Sequence, residues 1–208
     1  KWFGDIPSGE KYHRSLPQEP PQTAAHQLEV KANVPLDALY KCYHMYARTD
    51  KRYYAADLIS DILGGGSSSR LHQVLVKEKK LFSNIDCYHF GSLDAGLLTI
   101  EGKLVKGVKM KDAEKAVQQE LEKLQSEAIT ERELQKVKNR VESLLAFEDM
   151  SLLNRANNLA FYELLGDAAL MNREFENYEV VTAAEIHEEA KLLLDESNSN
   201  TIYYYAAN

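Results

Sequence analysis

The sequence predicts an α+β domain: a mainly antiparallel sheet of five to six strands, with helices packed on one of its faces. Three observations carry this. Two pairs of segments alternate apolar and polar residues with period two, segments of helical spacing separate and follow them, and a β-favouring run from Thr201 to Ala206 ends the chain. Hairpin pairs interleaved with helices give a sheet covered by a helical layer.

Residues 1–24 read as a linker. Trp2 and Phe3 precede Gly4-Asp5-Ile6-Pro7-Ser8-Gly9, and four of the five prolines (Pro7, Pro17, Pro20, Pro21) fall here. That density of proline forbids a regular helix or a central strand. Trp2 and Phe3 are costly to leave in water and are expected to dock on a neighbouring surface. Residues 25–208 form the domain. Its first strand spans His26 to Val34, where Leu28, Val30 and Ala32 alternate with polar residues, and its second spans Ala38 to Ala47. The Pro35-Leu36-Asp37 turn suggests that the two form a hairpin.

Helical spacing follows. Tyr53, Ala56, Leu58, Ile59, Ile62 and Leu63 mark an amphipathic helix stopped by Gly64-Gly65-Gly66. Ser67, Ser68 and Ser69 can cap a second helix with Leu71, Val74 and Leu75 on its inner face. A second strand pair spans Phe82 to Phe90 and Gly96 to Val105, joined through Gly91-Ser92-Leu93-Asp94. The rest is mostly helical. Ala113, Val117, Leu121 and Leu124 form one apolar face, and Leu134, Val137, Val141, Leu144 and Leu145 another. Leu152, Leu153, Ala156, Leu159 and Ala160 give a further helix, and Ile186, Ala190 and Leu193 the last. Thr130 with Glu133, and Thr182 with Glu185, have the spacing of capping boxes. The sheet face away from the helices would carry Tyr40, Tyr43 or Tyr46. Ordinary packing is the simpler account of those rings, and a partner or ligand the functional one.

Bulk properties narrow the function classes. A length of 208 residues suits one large domain or two small ones, with a core that needs no staples. The formal net charge of −7 argues against a nucleic-acid binder. No apolar run approaches the ~20 residues of a membrane span. Lys1 opens the sequence without Met or an apolar leader, which suggests a processed chain or a fragment. Cys42 and Cys87 are too few for a disulfide scaffold and are expected to be free and buried.

Catalytic motifs are missing in an informative way. The histidines are His13, His26, His44, His72, His89 and His187, and no two lie four residues apart. Neither HExxH nor HxxEH therefore occurs, since both need two imidazoles on one helical face. A zinc site assembled from distant histidines is the remaining alternative. His187-Glu188-Glu189 reads as a solvated helix face, and no Gly-x-Ser-x-Gly elbow is present. The segment Gly64 to Arg70 admits two readings. A glycine-rich entry to a helix can cradle phosphate, but the lysine of a P-loop is absent. The favoured reading is a tight helix-to-helix turn, with Arg70 paired to a carboxylate or carbonyl. Lys77-Glu78-Lys79-Lys80 reads as a solvated helix end, favourable to the helix dipole.

Several of these blocks together resemble a known family. Leu63-Gly64-Gly65-Gly66, Ser68-Ser69-Arg70-Leu71 and Leu75-Val76-Lys77-Glu78-Lys79-Lys80-Leu81 are similar to a signature of the pitrilysin/insulinase zinc metallopeptidases, with a likeness to the mitochondrial processing peptidase group. Trp2 to Gly9 looks like that family's linker between two homologous halves. Thr130-Glu131-Arg132-Glu133-Leu134, Leu164-Leu165-Gly166-Asp167 and Val181 to Ile186 match later landmarks in order.

The resemblance implies a clamshell. One half carries HxxEH and a distal glutamate; the other has the same fold, no metal, and closes over a peptide. This chain resembles the second, non-catalytic half, with no catalytic residue, no cofactor of its own, and zinc expected in a partner domain or subunit. In active members an arginine and a tyrosine seven residues apart grip the substrate from this half. The matching positions here are Val76 and Ser83, which supply neither cation nor phenol. Arg70, Phe82, Ser83 and Tyr88 are the substrate-facing residues the resemblance leaves as candidates, and the half would contribute shape, closure and exclusion of water. Two alternatives remain: a proteolytically inactive assembly subunit of the same fold, and an anion-binding module using Gly64 to Arg70.

Overall fold

The computed structural model describes residues 4–7, 9–10, 17, 19–91 and 93–207. The expected docking of Trp2 and Phe3 lies outside them. The strands are β1 (His26–Ala32), β2 (Ala38–Met45), β3 (Phe82–Phe90), β4 (Gly96–Leu104) and β5 (Ser199–Ala206). They form one five-stranded sheet in the order β1-β5-β2-β4-β3. All neighbours are antiparallel except β1 and β5, which run parallel. The sheet is as expected in class and size.

The expected β1–β2 hairpin does not form. The last strand inserts between them, pairing Leu28 with Ile202 on one side and Tyr40 with Ile202 on the other. Hydrophobic patterning explains the choice. β5 is rich in β-formers and half-buried, which suits an inner position. β1 alternates Gln27, Glu29 and Lys31 with its apolar residues and is exposed along most of its length, which suits a protected edge. Asp37 then serves the strand ending rather than a hairpin turn, its carboxylate accepting the Ala206 amide at 2.8 Å.

The helices are α1 (Arg52–Gly64), α2 (Met110–Ser126), α3 (Glu131–Glu148), α4 (Leu152–Leu164), α5 (Glu174–Glu179) and α6 (Ala183–Leu193). A π-helical turn, His72–Glu78, follows α1. Leu58, Ile59, Ile62 and Leu63 of α1 are fully buried with Leu71 and Leu75 of the next turn. Each such side chain contributes about 1.5–3 kcal/mol relative to exposure. They meet Leu39, Tyr43, Ile85, Leu98 and Ile100, the inward residues of the sheet. Ala113, Val117, Leu121 and Leu124 of α2, and Ile186, Ala190 and Leu193 of α6, complete the layer as their spacing predicts.

Four local expectations are revised. Tyr43 is fully buried under the helices, whereas Tyr40 faces away. Residues an odd number apart in a strand cannot share a face. Tyr46 lies beyond β2 and packs on the core, with Arg52 4.0 Å from its ring centre. The serine run gives no side-chain cap to the π-helical turn. Thr182 and Glu185 form a complete capping box, but Thr130 and Glu133 form half of one: Thr130 accepts the Glu133 amide while the Glu133 carboxylate takes a guanidinium instead. Glu188 of α6 is exposed as expected, yet Glu189 is buried, with its carboxyl pushed upward by that burial.

The largest departure is α4. The helix forms where its spacing predicts, but an apolar face is ordinarily interior, whereas Leu152 is 84% exposed and Leu153 70%, and of this helix only Tyr162 is buried.

Candidate functional site

With the helices packed on one side, no described helix covers the other face of the sheet, although Gln22 reaches its Asn200 at 2.8 Å. The register defines this face. Leu28, Ile202, Tyr40, Glu101 and Asp86 are successive cross-strand partners and make one row across all five strands. His26, Asn200, Cys42, Thr99 and Tyr88 make the next row. Residues directly opposite in a sheet share a face, so both rows point the same way.

Side-chain contacts organise this face. Tyr88 donates its hydroxyl to Glu101 at 3.0 Å. Burial, and then the hydrogen bond to Glu101, push the Tyr88 phenol up to about 12, so it stays a neutral donor at physiological pH. Tyr88 meets Phe90 edge-on at 5.3 Å, and Tyr40 meets Tyr204 edge-on at 6.5 Å. Cys42 lies 3.5 Å from the Thr99 hydroxyl. Leu28 and Phe90 are left exposed at opposite edges of the sheet. The face offers aromatic walls, apolar steps and two carboxylates, a set suited to an extended polypeptide.

The four residues singled out in the sequence do not come together. Tyr88 lies on the open face. Phe82 is 1% exposed and belongs to the core. Ser83 is exposed at a β-bulge, its hydroxyl bonded to the Lys103 carbonyl at 3.1 Å. Arg70 sits on the helical side and grips Glu133 with two bonds of 2.8 Å. The Arg70 hydrogen bonds outweigh burial and hold the Glu133 carboxyl below its ordinary value. Val76 packs against the core. The residues of the open face that the sequence did not reveal are Glu101, Asp86, Ile202 and Tyr204. Their alternation is visible within each strand, but which face they share depends on pairing across distant segments.

The glycine-rich turn is closed from α3. Lys136 bonds the Ser68 carbonyl at 3.0 Å and Arg140 bonds the Gly65 carbonyl. Gly66 turns with φ +88°, the left-handed region that glycine favours. The segment is a tight turn, as the favoured reading held, and Arg70 has the carboxylate partner expected of it.

A cleft of ≈ 540 Å³ lies between this turn and β3, lined by Asp57, Asp61 and His89 among others. Its donors are already committed. His89 bonds Asp57 at 3.1 Å and Tyr53 at 2.6 Å, Tyr178 donates to Asp57 at 2.6 Å, and Arg140 pairs with Asp61 at 3.3 Å. Among the described residues no group of three or more His, Cys, Asp or Glu is placed to hold a metal ion. The described residues therefore do not fit a zinc site. Behind the cleft, buried Arg48 pairs with Glu174 and lies 4.4 Å from the Tyr53 ring centre. Burial is the largest influence and opposes its charge, but Glu174 together with Tyr54 and Tyr53 outweighs it and raises its pKa. Cys87 is buried and Cys42 partly so, and both are free. No described helix is long and apolar enough to cross a membrane.

Comparison with known proteins agrees with this fold. A protease from Helicobacter pylori superposes with a TM-score of 0.88 at 24% identity, over 95% of this chain and 48% of that one. A peptidase M16 inactive domain from Pseudomonas fluorescens superposes with a TM-score of 0.78 at 16% identity, over 92% of this chain and 46% of that one. Among curated proteins, the uncharacterized zinc protease YmxG of Bacillus subtilis is 27% identical over 165 residues, 79% of this chain and 39% of the relative. The chain thus spans less than half the length of each. The model of the peptidase M16 inactive domain matches residues 1–141, more than half of the sequence. The chain therefore belongs to the peptidase M16 family, as its inactive domain.

Proposed function

We propose that this inactive domain closes over peptide or unfolded polypeptide held against a zinc-bearing half outside the chain, with residues 1–24 as the linker to that half. The open sheet face supports this most directly: a continuous row from Leu28 through Tyr40 and Glu101 to Asp86, with no helix over it among the described residues. Aromatic and apolar side chains left on an open sheet face favour a second surface to cover them, and here that surface is substrate.

The chain's own residues bind and enclose. Tyr88, oriented by Glu101, presents a ring and a neutral hydroxyl to a passing main chain. Tyr40 and Tyr204 offer apolar surface for side chains. Ser83 lies exposed at the bulge, with Phe82 fixing the strand beneath it. Closure excludes water from the scissile bond, which strengthens every electrostatic contact there. Zinc, held by the other half, supplies the polarisation of the carbonyl and the activated water.

The test combines the chain with the zinc-bearing half of its own protein and follows cleavage of a quenched peptide. Hydrolysis should require both parts. Tyr88→Ala should raise KM about tenfold with kcat little changed, since it removes uniform binding. Cleavage by the zinc-bearing half at the same rate with or without this chain would overturn the proposal. A stable complex without any cleavage would favour an assembly subunit.

A further inference from the structure

A separate pocket lies on the helical side of the sheet, away from the open face. It holds ≈ 560 Å³ between α2 and the turn that precedes β5. Lys41 of β2 is its most buried lining residue, 2% exposed. The Lys41 ammonium donates to both carboxylate oxygens of Glu196, at 3.0 and 3.2 Å, and Glu196 is 51% exposed. The ion pair thus has one buried end and one open end. Three polar atoms here are buried and lack a hydrogen-bond partner among the described residues. The Gln118 amide oxygen belongs to the lining itself. The Thr201 hydroxyl belongs to the strand neighbour of Lys41. The Tyr43 hydroxyl belongs to a ring whose centre lies 5.8 Å from the Lys41 ammonium. Buried polar groups are nearly always bonded, so unbonded ones gathered beside a cavity call for an occupant.

We propose that this pocket binds a free α-amino acid, its carboxylate taken by Lys41 and its ammonium by Glu196 and the Gln118 oxygen. The charges of the lining select this class. Lys41, Lys111 and Lys115 stand against Glu114, Glu122 and Glu196. A lone anion would meet the carboxylates and a lone cation the ammonium groups, whereas a zwitterion finds an opposite charge for each of its ends. An α-amino acid carries both charges on one carbon, which suits a lysine and a glutamate already in contact. In a longer peptide the two termini lie too far apart to bridge that pair. Tyr203 donates to Glu114 at 2.6 Å and so fixes one wall. The volume falls within the ~300–1,000 Å³ of small-molecule sites. Lys111, Lys115 and Glu122 are exposed and give the ligand's own side chain a polar setting.

The decisive experiment titrates the intact chain, followed by amide NMR, with L-serine, L-glutamate and L-lysine at concentrations on the order of 10 mM. At least one of the three should saturate with a Kd of about 1 mM or tighter and shift the amides of Lys41, Gln118 and Glu196. Its N-acetyl and carboxamide derivatives, each lacking one charge, should bind at least tenfold more weakly. Lys41→Met and Glu196→Gln should each weaken binding at least tenfold. Gln118→Met removes an acceptor that has no partner in the fold, so it should melt no lower than wild type while binding severalfold more weakly. That variant keeps the test decisive if Lys41→Met fails to fold. No saturable shift with any of the three, or shifts centred elsewhere, would overturn the proposal. So would equal binding by the capped derivatives or by inorganic phosphate, or wild-type affinity in Gln118→Met. The pocket lies across the sheet from the open face, so either result leaves the proposed function standing.

Discussion

Gly64 is the last residue of α1, and replacing it with alanine sets two effects against each other. Alanine gains about 1 kcal/mol of helix propensity over glycine. Against that, a Cβ at this position would stand 1.9 Å from the backbone nitrogen of Cys87 and 2.5 Å from its Cα. Ordinary contact begins near 3.4 Å, so the helix end must retreat from β3 by about 1.5 Å. The clashing atoms are main chain in an edge strand and cannot swing aside. Retreat would loosen Leu63 and Ile59, both fully buried, from their neighbours in the sheet. Forced overpacking costs about 1–3 kcal/mol, sometimes more, and backbone clashes belong at the upper end. Steric cost therefore wins, with a net loss of about 2 kcal/mol or more and a fall in Tm of roughly 4–8 °C for a chain of this size. Urea and thermal melts followed by circular dichroism would measure it. Cys87→Ala should not rescue the variant, because the contact is with backbone. Gly107→Ala provides the comparison: φ is +90° but nothing lies within 4 Å, so only conformational strain of about 1 kcal/mol is paid. A Gly64→Ala protein as stable as wild type, or more so, would refute the close-approach argument.

Glu174→Ala would leave Arg48 charged and buried without its carboxylate, and should cost about 3–5 kcal/mol in a urea melt. Thr182→Ala removes the hydroxyl arm of the capping box, leaving the backbone amide at 182 bonded to Glu185, and should cost about 1 kcal/mol, with α6 fraying visible by hydrogen exchange. For Glu133→Gln the sign follows from a carboxyl held low in the fold: its stabilisation is present above the ordinary glutamate value of about 4.3 and is lost as pH falls through the lower folded value. The variant should be less stable than wild type by about 1 kcal/mol at pH 7, and the difference should shrink in acid. A gap that widened in acid would contradict the Arg70–Glu133 assignment.

How much the sequence revealed depends on distance along the chain. Strand and helix positions, the absence of HxxEH and the Thr182 cap all follow from local spacing. The open face was partly legible, since Tyr40 and Tyr88 each alternate with buried neighbours. Its composition was not, because Glu101 and Ile202 join Tyr40 only through pairings spanning more than sixty residues.

The sequence by itself determined the class of fold and the lack of a helix-borne zinc pair, because periodicity and motif spacing are properties of neighbouring residues. Tertiary structure alone decided that β5 enters between β1 and β2, that Glu133 prefers Arg70 to its own helix cap, and that the apolar side of α4 faces outward. Those outcomes are competitions among groups remote in sequence. Burial and charge pairing settle them only once the chain has folded.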